Sequence, residues 1–143
     1  MCVSKLGLPN IYLKTFALII KVMISEEIGD YLKTIYTLSS GKGYARIKDI
    51  ASQLKIKPPS VSQMIRKLAN LGYVEYERYG GVKLTQKGKN SAREIKRRHE
   101  LLSRFFRYIG VPQKIADSDA CRIEHYLHPK TVKQLVKFIE KKR

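Results

Sequence analysis

Cys121, Glu124 and His125 form a Cys-x-x-Glu-His string near the C-terminus. Thiolate, carboxylate and imidazole are all metal-ligand types, and together they suit a first-row divalent ion. On a helix, spacings of three and four residues put the three side chains on one face, converging on one point. The same residues also fit a half-buried helix with a structural cysteine and a Glu-His pair, so the triplet alone leaves both readings open. A third chemistry would use Cys121 as thiolate and His125 as base. It lacks the oxyanion-forming glycine loop and the third orienting group that such catalysis needs. No enzyme is expected.

The elements that must position this string are legible from periodicity. Ser25-Glu26-Glu27 supplies an N-cap and acidic first turn for a helix to about Leu38, with Ile28, Leu32, Ile35, Tyr36 and Leu38 at helical spacing. Ser39 to Gly43 stops it. A second helix is predicted over Ile47–Leu54. After the turn Lys55-Ile56-Lys57, Pro58-Pro59 opens a third helix, which buries Val61, Met64, Ile65, Leu68 and Leu71 and ends at Gly72. The alternating, aromatic run Tyr73–Tyr79 predicts a strand, Gly80-Gly81 a turn, and Val82–Thr85 the returning strand. A long basic helix is expected from Gln86 to Tyr108, then helices over Asp117–Leu127 and Pro129–Lys142. The fold class is mainly α with a small β-hairpin: an N-terminal winged helix-turn-helix followed by a helical dimerisation domain.

Helix, turn, helix and hairpin in that order point to DNA, because the major groove admits an α-helix. The charge agrees: the 143-residue chain carries a formal net charge of +17, which concentrates polyanions at its surface. With the buried positions removed, the third helix presents Pro59, Ser60, Ser62, Gln63, Arg66 and Lys67. Gln63 can pair in two-pronged fashion with adenine, and the serines suit phosphate or base. Lys57, with Arg78 and Lys83 on the wing, can neutralise backbone phosphates. An amphipathic bundle with a solvated polar face is the competing account. An anionic membrane also fits the charge, but has no use for a hairpin beside a polar recognition face.

Phe16–Ile20 is apolar but too short to span a bilayer, and Lys14 and Lys21 bracket it. Translation is expected to start at Met23, which makes 1–24 an extension of no assigned function. The winged domain is placed at 25–86 and the helical metal-binding and dimerisation domain at 87–143. Cys2 and Cys121 lie far apart without a secretory signature, which suits a reducing cytoplasm.

Five stretches carry a resemblance that runs from Ser25 onward: Asp30-Tyr-Leu-Lys-Thr-Ile-Tyr36, Pro59-Ser-Val-Ser-Gln63, Leu84-Thr-Gln-Lys-Gly-Lys89, Arg98-His-Glu-Leu-Leu102 and Ala120-Cys-Arg-Ile-Glu-His125. Together, in this order, they resemble the family of the diphtheria toxin repressor and the manganese transport regulator, in its short form without an SH3-like domain. The resemblance implies a metal-activated homodimer that represses metal-uptake genes from a palindromic operator. A winged-helix regulator that does not sense metal is the alternative. By position, the resemblance implies metal ligands at Asp30, Cys121, Glu124 and His125, with His99 at a neighbouring site or simply on the internal face of the long helix. Lys33 stands where the manganese type carries a bridging carboxylate, and Ser103 and Asp117 replace ancillary ligands of the longer type. One iron(II) or manganese(II) ion per subunit is therefore expected. Cys121 favours iron(II), Asp30 favours manganese(II), and iron(II) is slightly preferred. The dimer surface is expected on Leu101, Leu102, Phe105, Phe106 and Ile109, with Ile95 and Ile123 on the same apolar stripe.

Overall fold

The computed structural model describes residues 26–142, so the expected start at Met23 and the Ser25 cap lie outside the described residues. Helix α1, over 26–38, turns Tyr31, Leu32 and Ile35 inward. Helix α2 (Ile47–Leu54) buries Ile50 and Ala51 and is closed by Lys55, whose amide donates to the Ala51 and Ser52 carbonyls. Helix α3 (Pro58–Asn70) starts on two prolines, whose missing N–H groups lose nothing in a first turn. Its buried Val61, Met64, Ile65 and Leu68 fall at the spacing of one helical face.

Strands β1 (Val74–Glu77) and β2 (Gly81–Leu84) form an antiparallel hairpin in which Val74 pairs with Leu84 and Glu77 with Gly81. The turn is Arg78-Tyr79-Gly80, so the first strand is shorter than expected, the second starts one residue earlier, and the bend lies earlier than Gly80-Gly81. Gly81 adopts φ 79°, a conformation glycine takes without strain, and it begins the return strand instead of sitting within the turn. Ala45 and Val82 exchange both main-chain hydrogen bonds at 2.8 Å, fastening the α1–α2 connection to the wing. Side chains from α1, α2, α3 and both strands share one core with Ala92 of the next helix.

Helix α4 (Gln86–Tyr108) has the expected limits. Thr85 caps it by accepting from the Gly88 amide at 3.1 Å and donates to the Gly72 carbonyl at 2.6 Å, which locks the long helix to the end of the hairpin. Helix α5 (Gln113–Ile123) starts four residues before the expected Asp117 and ends at Ile123, short of Leu127. The Pro112 carbonyl accepts from both Ile115 and Ala116 and nucleates α5 ahead of its acidic residues. Helix α6 (Pro129–Glu140) lies back on α4. Among the described residues no helix is long and apolar enough to cross a membrane.

Ile65 is fully buried where α3 meets the core. Ile65→Ala is expected to lower unfolding free energy by about 2–5 kcal/mol, read by denaturant titration.

Candidate metal centre and nucleic-acid interface

Helices α1 and α5 come together at a cluster of ligand-type atoms. One oxygen each from Asp30 and Glu124 and the sulfur of Cys121 all lie within 4.8 Å of one another. Two ligands across an ion at bonds of ~2.2 Å span roughly 4.5 Å, so the spread is close to that of a coordination sphere. His125 Nε2 lies 3.2 Å from Glu124 Oε1 and 3.9 Å from Asp30 Oδ1. Despite the short approach to Glu124, Nε2 is buried and has no partner in hydrogen-bonding geometry. A buried nitrogen without a partner, beside two carboxylates, is a donor that a divalent ion would satisfy. Three of the four expected ligands, Asp30, Cys121 and Glu124, are thus brought to one place, and the His125 ring lies beside the two carboxylates. They are not all helical: α5 stops at Ile123, and Glu124 keeps a helical conformation only as its C-cap, with His125 in the following turn.

Asp30 comes from α1, and its neighbour Gly29 explains how that helix gets so close. A methyl group added at Gly29 would overlap the His125 ring and lie 3.2 Å from Ile95. Nothing in the local sequence signals this constraint, because it arises from a crossing of two distant segments. His99, on α4, is 2.9 Å from Glu124 Oε2 through Nδ1. It holds the far oxygen of Glu124. Ser103 donates to Asp117, tying α4 to α5 at the positions where the longer relatives were expected to differ.

Lys33 was expected only as an obstacle to a second ion, yet its ammonium donates to Glu124 Oε1 at 2.7 Å. It also lies 3.8 Å from Asp30 Oδ1 and 3.7 Å from Cys121 Sγ. Burial pulls the ammonium down, but the bond to Glu124 and the charges around it win, and its pKa is raised above the ordinary lysine value. Burial likewise opposes ionisation of Glu124, whose contacts with His125 and Lys33 outweigh it and hold its pKa low. For Asp30 and Cys121, burial dominates and both are raised.

The opposite end of the winged half presents a different surface. Lys57, Pro59, Ser60, Gln63, Arg66 and Lys67 are exposed along α3, as are Arg78 in the turn and Lys83 on β2. Ser62 is half-buried and offers less than expected. Tyr79, overlooked in the sequence, is 95% exposed at the tip of the wing with the Arg78 guanidinium 5.9 Å above its ring. The signal for it was an aromatic residue in a turn, which the mistaken turn position concealed.

On α4, Phe105, Phe106 and Leu101 are half-buried and Ile109 is exposed, whereas Leu102 is buried inside the subunit. Leu102 is therefore part of the subunit's interior and cannot itself form a dimer contact. Phe138 of α6 adds to the patch, edge-on to Phe105 and Tyr108 at 6.1 and 5.8 Å.

A winged helix joined through a metal-competent cluster to a helical half defines a metal-responsive DNA-binding regulator. The chain belongs to the iron dependent repressor family: its N-terminal DNA binding domain model matches residues 23–82, and its metal binding and dimerisation domain model matches 85–143. The chain is 38% identical over 118 residues to the HTH-type transcriptional regulator MntR of Lysinibacillus sphaericus (strain C3-41), covering 82% of this chain and 85% of that one. It is 44% identical over 105 residues to MntR of Bacillus subtilis (strain 168), covering 73% and 74%. The structure of the manganese regulator SloR superposes with a TM-score of 0.70 at 31% identity, covering 79% of this chain and 53% of that one. It is accordingly a metal-responsive repressor that works as a dimer on DNA, and not an enzyme.

The buried Glu124 makes a pH prediction for the metal-free protein. Its folded value lies below the ordinary 4.5, so its stabilisation is complete above that value and is lost as pH falls through the folded one. The raised Asp30 acts with opposite sign. Thermal melts between about pH 3 and 6 should fall less steeply on acidification for Glu124→Gln than for the unaltered chain; equal slopes would contradict the assignment.

Proposed function

We propose that one iron(II) or manganese(II) ion per subunit, held by Asp30, Cys121, Glu124 and His125, makes this dimer competent to bind a palindromic operator and repress metal-uptake genes. The observation that carries the reading is the convergence of Asp30, from the winged half, with Cys121 and Glu124, from the helical half. Such an ion would supply a bridge between α1, which is part of the winged core, and the end of α5. His99 is a positioning partner of Glu124 in this reading: its Nδ1 lies 2.9 Å from Glu124 Oε2, and it stands outside the cluster of Asp30, Cys121 and Glu124. Cys121 favours iron(II), while the second carboxylate at Asp30 favours manganese(II). A role at operator DNA supports a cytoplasmic location.

Lys57, Ser60, Gln63, Arg66 and Lys67 supply the contacts from α3, and Arg78 and Lys83 those from the wing. Phe105, Phe106, Leu101 and Ile109 form the contact between subunits, which sets how far apart the two copies of α3 lie. The metal acts on that separation through α1. A ligand can shift such an equilibrium only by binding the competent arrangement more tightly than the other.

Operator binding should strengthen with iron(II) or manganese(II) and weaken with a chelator in gel-shift titrations. The double variant Asp30→Ala/Glu124→Ala should lose that response, with helix content by circular dichroism showing that the winged half is still folded. Metal-independent affinity in the unaltered chain would favour a regulator that senses something else. On the DNA side, Gln63→Ala should cost about 1–3 kcal/mol on the preferred sequence and little on random DNA, whereas Lys83→Ala should weaken both and flatten the salt dependence. Competition binding across salt concentrations separates the two effects.

A further inference from the structure

The ammonium of Lys33 is held by three of the four side chains that would hold an ion: 2.7 Å from Glu124 Oε1, 3.8 Å from Asp30 Oδ1 and 3.7 Å from Cys121 Sγ. We propose that Lys33 is a resident cation that an incoming divalent ion must expel, so that this side chain sets the metal concentration at which the protein responds. The inference rests on the metal reading above and adds to it a residue that no ligand role covers.

Glu124 is 1% exposed, and its Oε1 is the atom for which the two cations contend. A carboxylate so buried needs a positive partner, and a divalent ion beside a monovalent one, a few ångströms apart with little water between them, is strongly repelled. The protein therefore has two ways of neutralising the same carboxylate, one internal and one external. Both tie α1 to the end of α5. Lys33 is on α1 and Glu124 at the C-cap of α5, so the ammonium makes, without metal, a looser version of the connection an ion would make.

Expulsion has somewhere to go. Lys33 is only partly covered, with 24% of its side chain exposed, and it lines a cavity of about 330 Å³ with Thr34, Thr37, Gln53 and His99. Rotation of its four-carbon stem into that space frees Glu124 Oε1 and leaves the ammonium in contact with water. Lys96, on the same wall, makes that refuge less favourable for a cation, so the return of Lys33 to Glu124 is favoured whenever the ion leaves.

Two measurements with manganese(II) test this, neither reading DNA binding. In the first, free manganese(II) is followed by electron paramagnetic resonance during titration of purified protein. Lys33→Met should bind manganese(II) about tenfold more tightly or better, because the competing charge is gone. Lys33→Arg keeps the charge and should stay near the unaltered affinity. Equal or weaker binding by Lys33→Met, with its helix content intact, overturns the proposal. The second uses the unaltered protein, and so holds even if the variant does not fold. Acylation of lysines by an amine-reactive reagent, mapped by mass spectrometry, should speed up at Lys33 on adding manganese(II) while Lys133 and Lys137 stay constant. Unchanged or slower labelling of Lys33 under saturating manganese(II) overturns it. Bound manganese(II) without these changes leaves the metal reading standing; failure of unaltered and Lys33→Met protein alike to take up manganese(II) removes both.

Discussion

Glu124 is a charged group with almost none of its surface in water, and much of the structure around it follows from that constraint. A buried carboxylate remains ionised only with hydrogen-bond donors and a cation close by. Lys33 supplies the charge from α1, His99 a donor from α4, and the His125 ring closes the remaining side. Each partner comes from a different segment, so satisfying this one group requires α1, α4 and the end of α5 to meet. Gly29 permits the meeting, since any side chain there would collide with His125. The electrostatic requirement and the steric one thus select the same crossing of helices.

That crossing joins two surfaces with different tasks. The winged half has its own core, built from α1, α2, α3 and the hairpin, and it presents the basic exposed face of α3. The helical half presents aromatic and aliphatic side chains at the end of α4 and on α6. Helix α4 runs continuously from the wing to the aromatic patch, and it is anchored at its start by Thr85. A rigid rod is thus fixed to the winged half at one end, while the cluster beside Glu124 braces it along its length. In the proposed mechanism, a change in what neutralises Glu124 acts on the angle at that brace, and a small angle change at one end of a long helix becomes a large displacement at the other.

Much of the fold was legible because it is local. The limits of α2 and α4 and the start of α3 agree with those read from apolar spacing and the two prolines, since the signals lie within the elements themselves. Helix α5 was misplaced because its first turn depends on a carbonyl of Pro112 and has no apolar pattern to announce it. The hairpin turn was misplaced because two adjacent glycines outweighed Tyr79, although only Gly81 has a positive φ there. In the site, Cys121, Glu124 and His125 were visible as neighbours in sequence. Asp30 could be named only through resemblance to a family, because nothing local links it to residues so far along the chain. Lys33 was legible as an obstacle to a second ion, but not as the occupant of the place beside Glu124. Gly29 and Leu102 needed the three-dimensional crossing itself: one for a clearance, the other for its burial within the subunit.

The central claim is that an ion at this cluster fixes the relation between the DNA-reading helices of a dimer. Fluorophores attached to the exposed face of α3 in the two subunits, read by single-molecule energy transfer, report that relation directly. With iron(II) or manganese(II) the distance distribution should narrow to a spacing that matches one turn of the major groove, roughly 34 Å, and broaden again with chelator. The same distribution with and without metal, in protein shown to have bound the ion, would contradict the account.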